Sequence, residues 1–212
     1  MTVAALMAFS GGQIFPSLRG SVATSTQTSG ATFSVTLPTH QANDWILVEV
    51  SVESDDNSNV LSVNSGGFTE VGESTGGVDV NIAVYAKQAA GSSETLVLNN
   101  SIGKPISAHA YAIKDGDGVE AAFTSSDTSN PPSLTASWGQ MKNLWFVGGA
   151  NGAGGNFSGA PSGFSGFTEN GDLGAKTSSA YKEDEVATLN PGAFSGAGGG
   201  QEAGCTVVVR PT

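Results

Sequence analysis

The segment Trp45-Ile46-Leu47-Val48-Glu49-Val50-Ser51-Val52 decides the fold. Its even positions, Ile46, Val48, Val50 and Val52, are all β-branched, and its odd positions, Trp45, Leu47, Glu49 and Ser51, are mixed. A period of two puts the first set toward a core and leaves the second on a wetter face. Outward from this strand the same pattern recurs. Thr32 to Leu37 alternates polar and apolar and stops at Pro38. Val78 to Tyr85 alternates with Val78, Val80, Ile82 and Val84 on one side, and Glu94 to Leu98 and Ser107 to Ile113 read as further strands. Turn formers separate them, as in Ser65-Gly66-Gly67 and Gly91-Ser92-Ser93. Amphipathic helical periodicity is weak; Val119 to Phe123 offers one helical turn at most.

The chain then echoes itself. Gly67-Phe68-Thr69-Glu70 returns as Gly166-Phe167-Thr168-Glu169. Asn43-Asp44-Trp45-Ile46-Leu47-Val48 returns as Lys142-Asn143-Leu144-Trp145-Phe146-Val147, Tyr85-Ala86-Lys87 as Tyr181-Lys182, and Ala110 to Asp115 as Thr206 to Pro211. The offsets are 100 for the tryptophans, 99 for the phenylalanines, and 96 both for the tyrosines and for Ile113 against Val209. Four matches in one order, at a nearly constant separation above any solenoid period, indicate two domain-sized copies. Trp45, Phe68, Tyr85, Trp145, Phe167 and Tyr181 are therefore read as the structural core of the repeat.

The expected fold is all-β, an antiparallel β-sandwich or jelly roll of two duplicated halves, each with about six strands. The expected organisation is an N-terminal arm or first strand (1–24), repeat 1 (25–118), a connector (119–132) and repeat 2 (133–212). Two tandem sandwiches and one compact body both satisfy the pattern, as do an arm and a first strand for the N-terminus. Gly148 to Gly166 and Gly192 to Gly204 read as wide loops, or as places where another chain comes close.

Eight basic residues against nineteen acidic ones, in a chain of 212 residues with net charge −11, leave no basic stripe for phosphates, so no nucleic-acid partner is expected. The lone Cys205 permits no internal disulfide and reads as a small buried thiol. Val3 to Phe9 is apolar but lacks the basic flank of a signal peptide, and no run is long enough for a membrane helix. Synthesis in a cytoplasm without export, and without a membrane partner, is the expectation.

Reactive constellations are sparse. Asp55-Asp56-Asn57-Ser58-Asn59 alternates oxygen ligands but lacks the glycine and terminal glutamate of a calcium loop, and Asp115-Gly116-Asp117-Gly118 is shorter still. Both read as polar turns, and no metal or cofactor is expected. His40 and His109 have no counterpart in the second copy and no nucleophile elbow beside them, so no catalytic residue is assigned. A glycan hydrolase would have to draw on Glu49, Glu53 or Glu183. Phe157 and Phe164, among glycines and outside the repeat, are candidate contact residues, together with Phe9 of the N-terminal segment.

The Asn/Asp-x-Trp-hydrophobic strand (Asn43 to Val48, Asn143 to Val147), the Gly-Phe-Thr turn (Gly67 to Thr69, Gly166 to Thr168) and the closing strands ending at Lys114 and Arg210 resemble Gly/Ser/Thr-rich β-sandwich structural proteins of tailed bacteriophages. The likeness covers residues 25 to 212. It implies a non-enzymatic virion protein, a capsid decoration or cement protein ahead of a tail component. Its partners would be the major capsid or tail protein and further copies of itself. A receptor- or carbohydrate-binding adhesin that meets a host glycan is the alternative.

Overall fold

The structure is a computed structural model and describes residues 12–54, 61–74, 79–124, 128, 130–152, 155–172, 174–196 and 201–212. Its strands are β1 (Ser17–Leu18), β2 (Ala23–Gln27), β3 (Thr32–Val35), β4 (Trp45–Glu53), β5 (Leu61–Ser65), β6 (Thr69–Glu73), β7 (Val80–Gln88) and β8 (Leu96–Asn100). There follow β9 (Ile106–Lys114), β10 (Gly116–Phe123), β11 (Leu134–Thr135), β12 (Asn143–Asn151), β13 (Ser165–Asp172), β14 (Ala175–Asp184), β15 (Thr188–Leu189) and β16 (Glu202–Pro211). The protein is all-β and antiparallel, as a sandwich requires.

Two large sheets face each other. One runs β1-β9-β4-β7-β6, with β2 also on β9; the other runs β10-β16-β12-β14-β13. Leu47, Ile82, Val84, Tyr111 and Ile113 of the first meet Leu144, Phe146, Cys205, Val207 and Val209 of the second in one shared core. Hydrogen bonds join the sheets at their margins: Thr177 Oγ1 donates to the Ser107 carbonyl at 3.0 Å, and Asn170 Nδ2 to the Ser25 carbonyl at 2.9 Å. The two large sheets therefore share one buried core.

Each large sheet is also covered on its outer face. The small sheet β3-β8-β5 seals Ile46, Val48, Val50 and Val52 beneath Phe33, Leu61, Leu96 and Leu98. On the other side, the β11–β15 pair covers Trp145 and Val208, and Phe157 and Phe194 cover Val147 and Ala180. Central strands therefore have no wet face, and Glu49 and Ser51 are buried. Alternation marked the strand correctly, but the second set of its side chains faces another sheet and not water.

Strand order and register match between the sheets. The pairs Trp45↔Ile113 and Trp45↔Gln88 correspond to Leu144↔Val209 and Leu144↔Glu183. The corresponding offsets are 99 from Asp44 to Asn143, 95 from Lys87 to Lys182 and 96 from Ile113 to Val209. Trp45 thus matches Leu144 and not Trp145. Trp45 packs toward the facing sheet, whereas Trp145 packs outward. Tyr85 and Tyr181 differ in the same way, Tyr85 facing out and Tyr181 facing in. A shift of one residue in a strand reverses every side chain, so aligning identical residues mis-assigned the face. Phe68 and Phe167 do share the outer side.

Other boundaries also move. Val119 to Phe123, read as a connector with one helical turn, forms most of β10 and pairs with Cys205 to Val209. The chain passes from one sheet to the other at Asp115, which adopts φ 63°. On the first sheet, β1 and β2 occupy the place that β10 holds on the second, so Ser17–Leu18 and Ala23–Gln27 are strands of their own sheet. β12 continues through Gly148 and Gly149 to Asn151, where a loop was expected. Bulges interrupt β5, β6, β10 and β13, all of them edge strands. Bulges bend a strand out of register with any newcomer and so discourage edge-to-edge pairing.

Candidate functional site

Buried asparagine and aspartate side chains fix where the central strands begin. The Asp44 carboxylate receives Arg19 Nε at 2.5 Å and the Gln41 amide at 2.8 Å. At the corresponding place Asn143 Oδ1 accepts Trp138 Nε1 at 3.0 Å, and its Nδ2 donates to the Val186 carbonyl at 3.2 Å. His40 has a similar role. Nδ1 faces the Pro38 carbonyl at 2.7 Å, and Nε2 accepts the Glu94 amide at 3.1 Å. A ring protonated on Nδ1 satisfies both contacts.

β4 and β9 then bring the unusual groups together. Glu49 pairs directly with His109 across the ladder, and both point into the inter-sheet core. Paired residues in such a ladder place their Cβ atoms about 5 Å apart. Ser51, Tyr111, Ser179 and Cys205 belong to the same buried layer. The Glu49 oxygens, both His109 nitrogens and the Tyr111 hydroxyl have no hydrogen-bond partner among the described residues. Burial pushes the Glu49 carboxyl up to about 7, with the nearby Ser179 hydroxyl holding the shift back. Burial also takes His109 down to about 4. The Tyr111 hydroxyl and Cys205 thiol are pushed up, first by burial and then by Glu49. An acid, an imidazole, a phenol and a thiol thus lie close together, but all are sealed from solvent. In this fold no dissolved substrate can reach them.

The remaining carboxylates do not converge on them. Glu53 is four residues from Glu49 on the same strand, about 13 Å at ~3.3 Å per residue, and pairs with Lys104 at 3.1 Å. Glu183 is exposed at the other end of the sandwich, on β14. Among the described residues, no three His, Cys, Asp or Glu side chains gather as metal ligands. Asp117, where a polar turn was expected, lies at the start of β10 and is held by Arg210, and the Asp55 to Asn59 segment lies outside the described residues.

The candidate contact residues are placed differently from expectation. Phe157 is only 3 % exposed and packs on Phe194 at 5.2 Å between ring centroids. Phe164 is partly buried against Trp145 and Val147, with Lys182 5.5 Å above its ring. The outer face of the second sheet needs an apolar cover, and these rings supply it. Phe9 lies outside the described residues. Among the described residues, the large exposed apolar side chains are instead Ile14 and Ile102, at 56 % and 41 %.

One groove opens where the rims of the two sheets meet, with a volume of about 470 Å³. Trp45, Thr69, Val71, Ala86, Gln88 and Val119 line it. The Trp45 indole N–H is buried and has no partner among the described residues. Sequence reasoning named Trp45 for the repeat core and missed this setting, because the groove needs β10 placed beside β6.

No protein-family model matches the chain, and no curated protein matches its sequence. No helix among the described residues is long and apolar enough to cross a membrane.

Proposed function

We propose that the chain is a non-enzymatic structural component of a tailed-bacteriophage virion, and within that class a capsid decoration or cement protein. One observation carries the non-enzymatic part: the side chains best suited to acid–base or nucleophilic work, Glu49, His109 and Cys205, are all locked between the sheets. What the protein offers its surroundings is a rigid outline of turns and covered faces. Modest contacts of such a body, repeated around a symmetric particle, add up to firm attachment. The repeated sequence motifs and their likeness to virion proteins support the particle assignment. Cryo-electron microscopy and peptide mass spectrometry of purified particles test it. The protein should appear at regular surface positions on heads; its absence from mature particles would end the reading, and its presence on tails alone would move it to the tail.

We further read the two sheets as copies of one ancestral module. The matched register supports this, as does the shared φ of 65° at Gly67 and Gly166. In a crystal structure, superposing β4, β7 and β9 on β12, β14 and β16 should bring Gly67 onto Gly166. If the superposition left these glycines apart, the common origin would be abandoned.

A further inference from the structure

We propose that the groove beside Trp45 is a binding site for a neutral pyranose sugar. The groove exists because the two sheets differ on one rung. Leu47 pairs with Ala86 in the first sheet, and Phe146 pairs with Tyr181 at the matching place in the second. Ala86 and Tyr181 both face the space between the sheets. The second sheet therefore fills its corner with a six-membered ring of its own, whereas the first keeps a groove of about 470 Å³ over a methyl group. That volume falls within the range of small-molecule sites, ~300–1,000 Å³.

The lining suits a ring with one apolar face and a polar edge. The pyrrole side of Trp45 is closed off, since its N–H is buried and a Cβ on Gly116 would lie 3.2 Å from Cδ1. The half-buried indole thus meets the groove with its six-membered ring, flanked by Val71 and by Val119 of the facing sheet. Such a wall takes the C–H face of a pyranose. Thr69 pairs with Ala86, and Gln88 with Trp45. Paired residues share a face, so both polar side chains stand beside the apolar wall, and both are exposed. A hydroxyl and a carboxamide donate and accept, as a ring of hydroxyls requires. Charge favours a neutral ligand. Lys87, the ionised side chain of the lining, is paired with Glu94 and donates to the Gly66 carbonyl at 2.8 Å. The chain as a whole carries a charge of −11, so a phosphate or carboxylate would be repelled. One aromatic wall and two polar side chains hold a ligand of this size weakly, with Kd on the order of 1 mM. This site goes beyond the virion assignment and does not depend on it.

Titrating the full-length ¹⁵N chain with glucose, galactose and N-acetylglucosamine tests the proposal. At least one of these sugars should shift the amide resonances of Thr69 to Val71, Ala86 to Gln88 and Val119 along a saturable curve. Ala86→Tyr gives the first sheet the ring that the second has in Tyr181. It should abolish those shifts while the rest of the spectrum stays that of a folded protein. Gln88→Ala, at an exposed position where folding is not at stake, should weaken binding about threefold to tenfold. Phenol, a ring without the hydroxyl edge, should bind more weakly than the best sugar. Groove resonances that show no saturable shift with any of the three sugars would overturn the proposal. So would sugar shifts that persist in folded Ala86→Tyr, or an unchanged affinity in Gln88→Ala. Tighter binding of phenol would make the groove a pocket for aromatic rings and end the sugar assignment.

Discussion

Burial holds the proton on Glu49 and removes it from His109, and the two effects oppose each other in the pH dependence of stability. Glu49 moves from 4.5 to about 7 on folding, so its stabilising share is complete below 4.5 and is lost as pH rises to about 7. His109 moves from 6.5 to about 4, so the native state gains as pH rises from about 4 to 6.5. Between pH 4.5 and 6.5 the two slopes oppose each other, so this pair together adds little net pH dependence to urea stability there. Glu49→Gln should uncover the rising slope and His109→Gln the falling one, each limited to ~1.4 kcal/mol per pH unit. Parallel profiles in all three proteins would refute this account. Gly148 sits in the same layer. A Cβ there would lie 2.6 Å from Cys205 Sγ and 2.9 Å from Ile82 Cδ1. Gly148→Ala should cost about 1–3 kcal/mol by overpacking, read from the urea midpoint. None of this was legible in the sequence. The facing of Glu49 and His109 exists only once β4 lies beside β9, and the dry side of β4 only once a second sheet covers it.

At the scale of elements, the repeated turns share a conformation but not their surroundings. Gly67 and Gly166 both adopt φ 65°, a region that costs other residues about 1–2 kcal/mol. A Cβ on Gly67 would meet nothing closer than Lys87 Nζ at 3.9 Å, whereas one on Gly166 would collide with the Tyr181 ring. Gly67→Ala should therefore lose only the conformational term, and Gly166→Ala clearly more. Equal losses in thermal unfolding would contradict the placement of Tyr181. Alternation, turn residues and the two glycine-phenylalanine turns were enough to find most strands. They could not set the phase of the repeat, because Trp45 and Trp145 catch the eye while the quieter pair Asp44 and Asn143 fixes where each strand starts. Phe157 read as surface because its partners Val147, Ala180 and Phe194 come from three separate segments.

At the scale of the whole molecule, the shared core sets cooperativity. Phe146 stacks on Tyr111 of the facing sheet at 4.9 Å and lies 6.1 Å from Tyr181 of its own. Phe146→Ala should cost about 3–5 kcal/mol. The loss should appear as one shifted transition in both tryptophan fluorescence and far-ultraviolet circular dichroism, because neither sheet keeps a buried inner face without the other. Two resolved transitions would show that the halves are stable separately.

The handover at Asp115 also orients the tails. Ser17 pairs with Lys114 and Pro211 with Gly116, so both ends of the described chain leave from one pole. Glu53, Val80 and Ile106 of the first sheet gather at the other pole with Asn151, Ala175 and Glu202 of the second. The opposite cap is left clear of both, and a contact made there meets loops and strand ends without the described start or finish of the chain intervening.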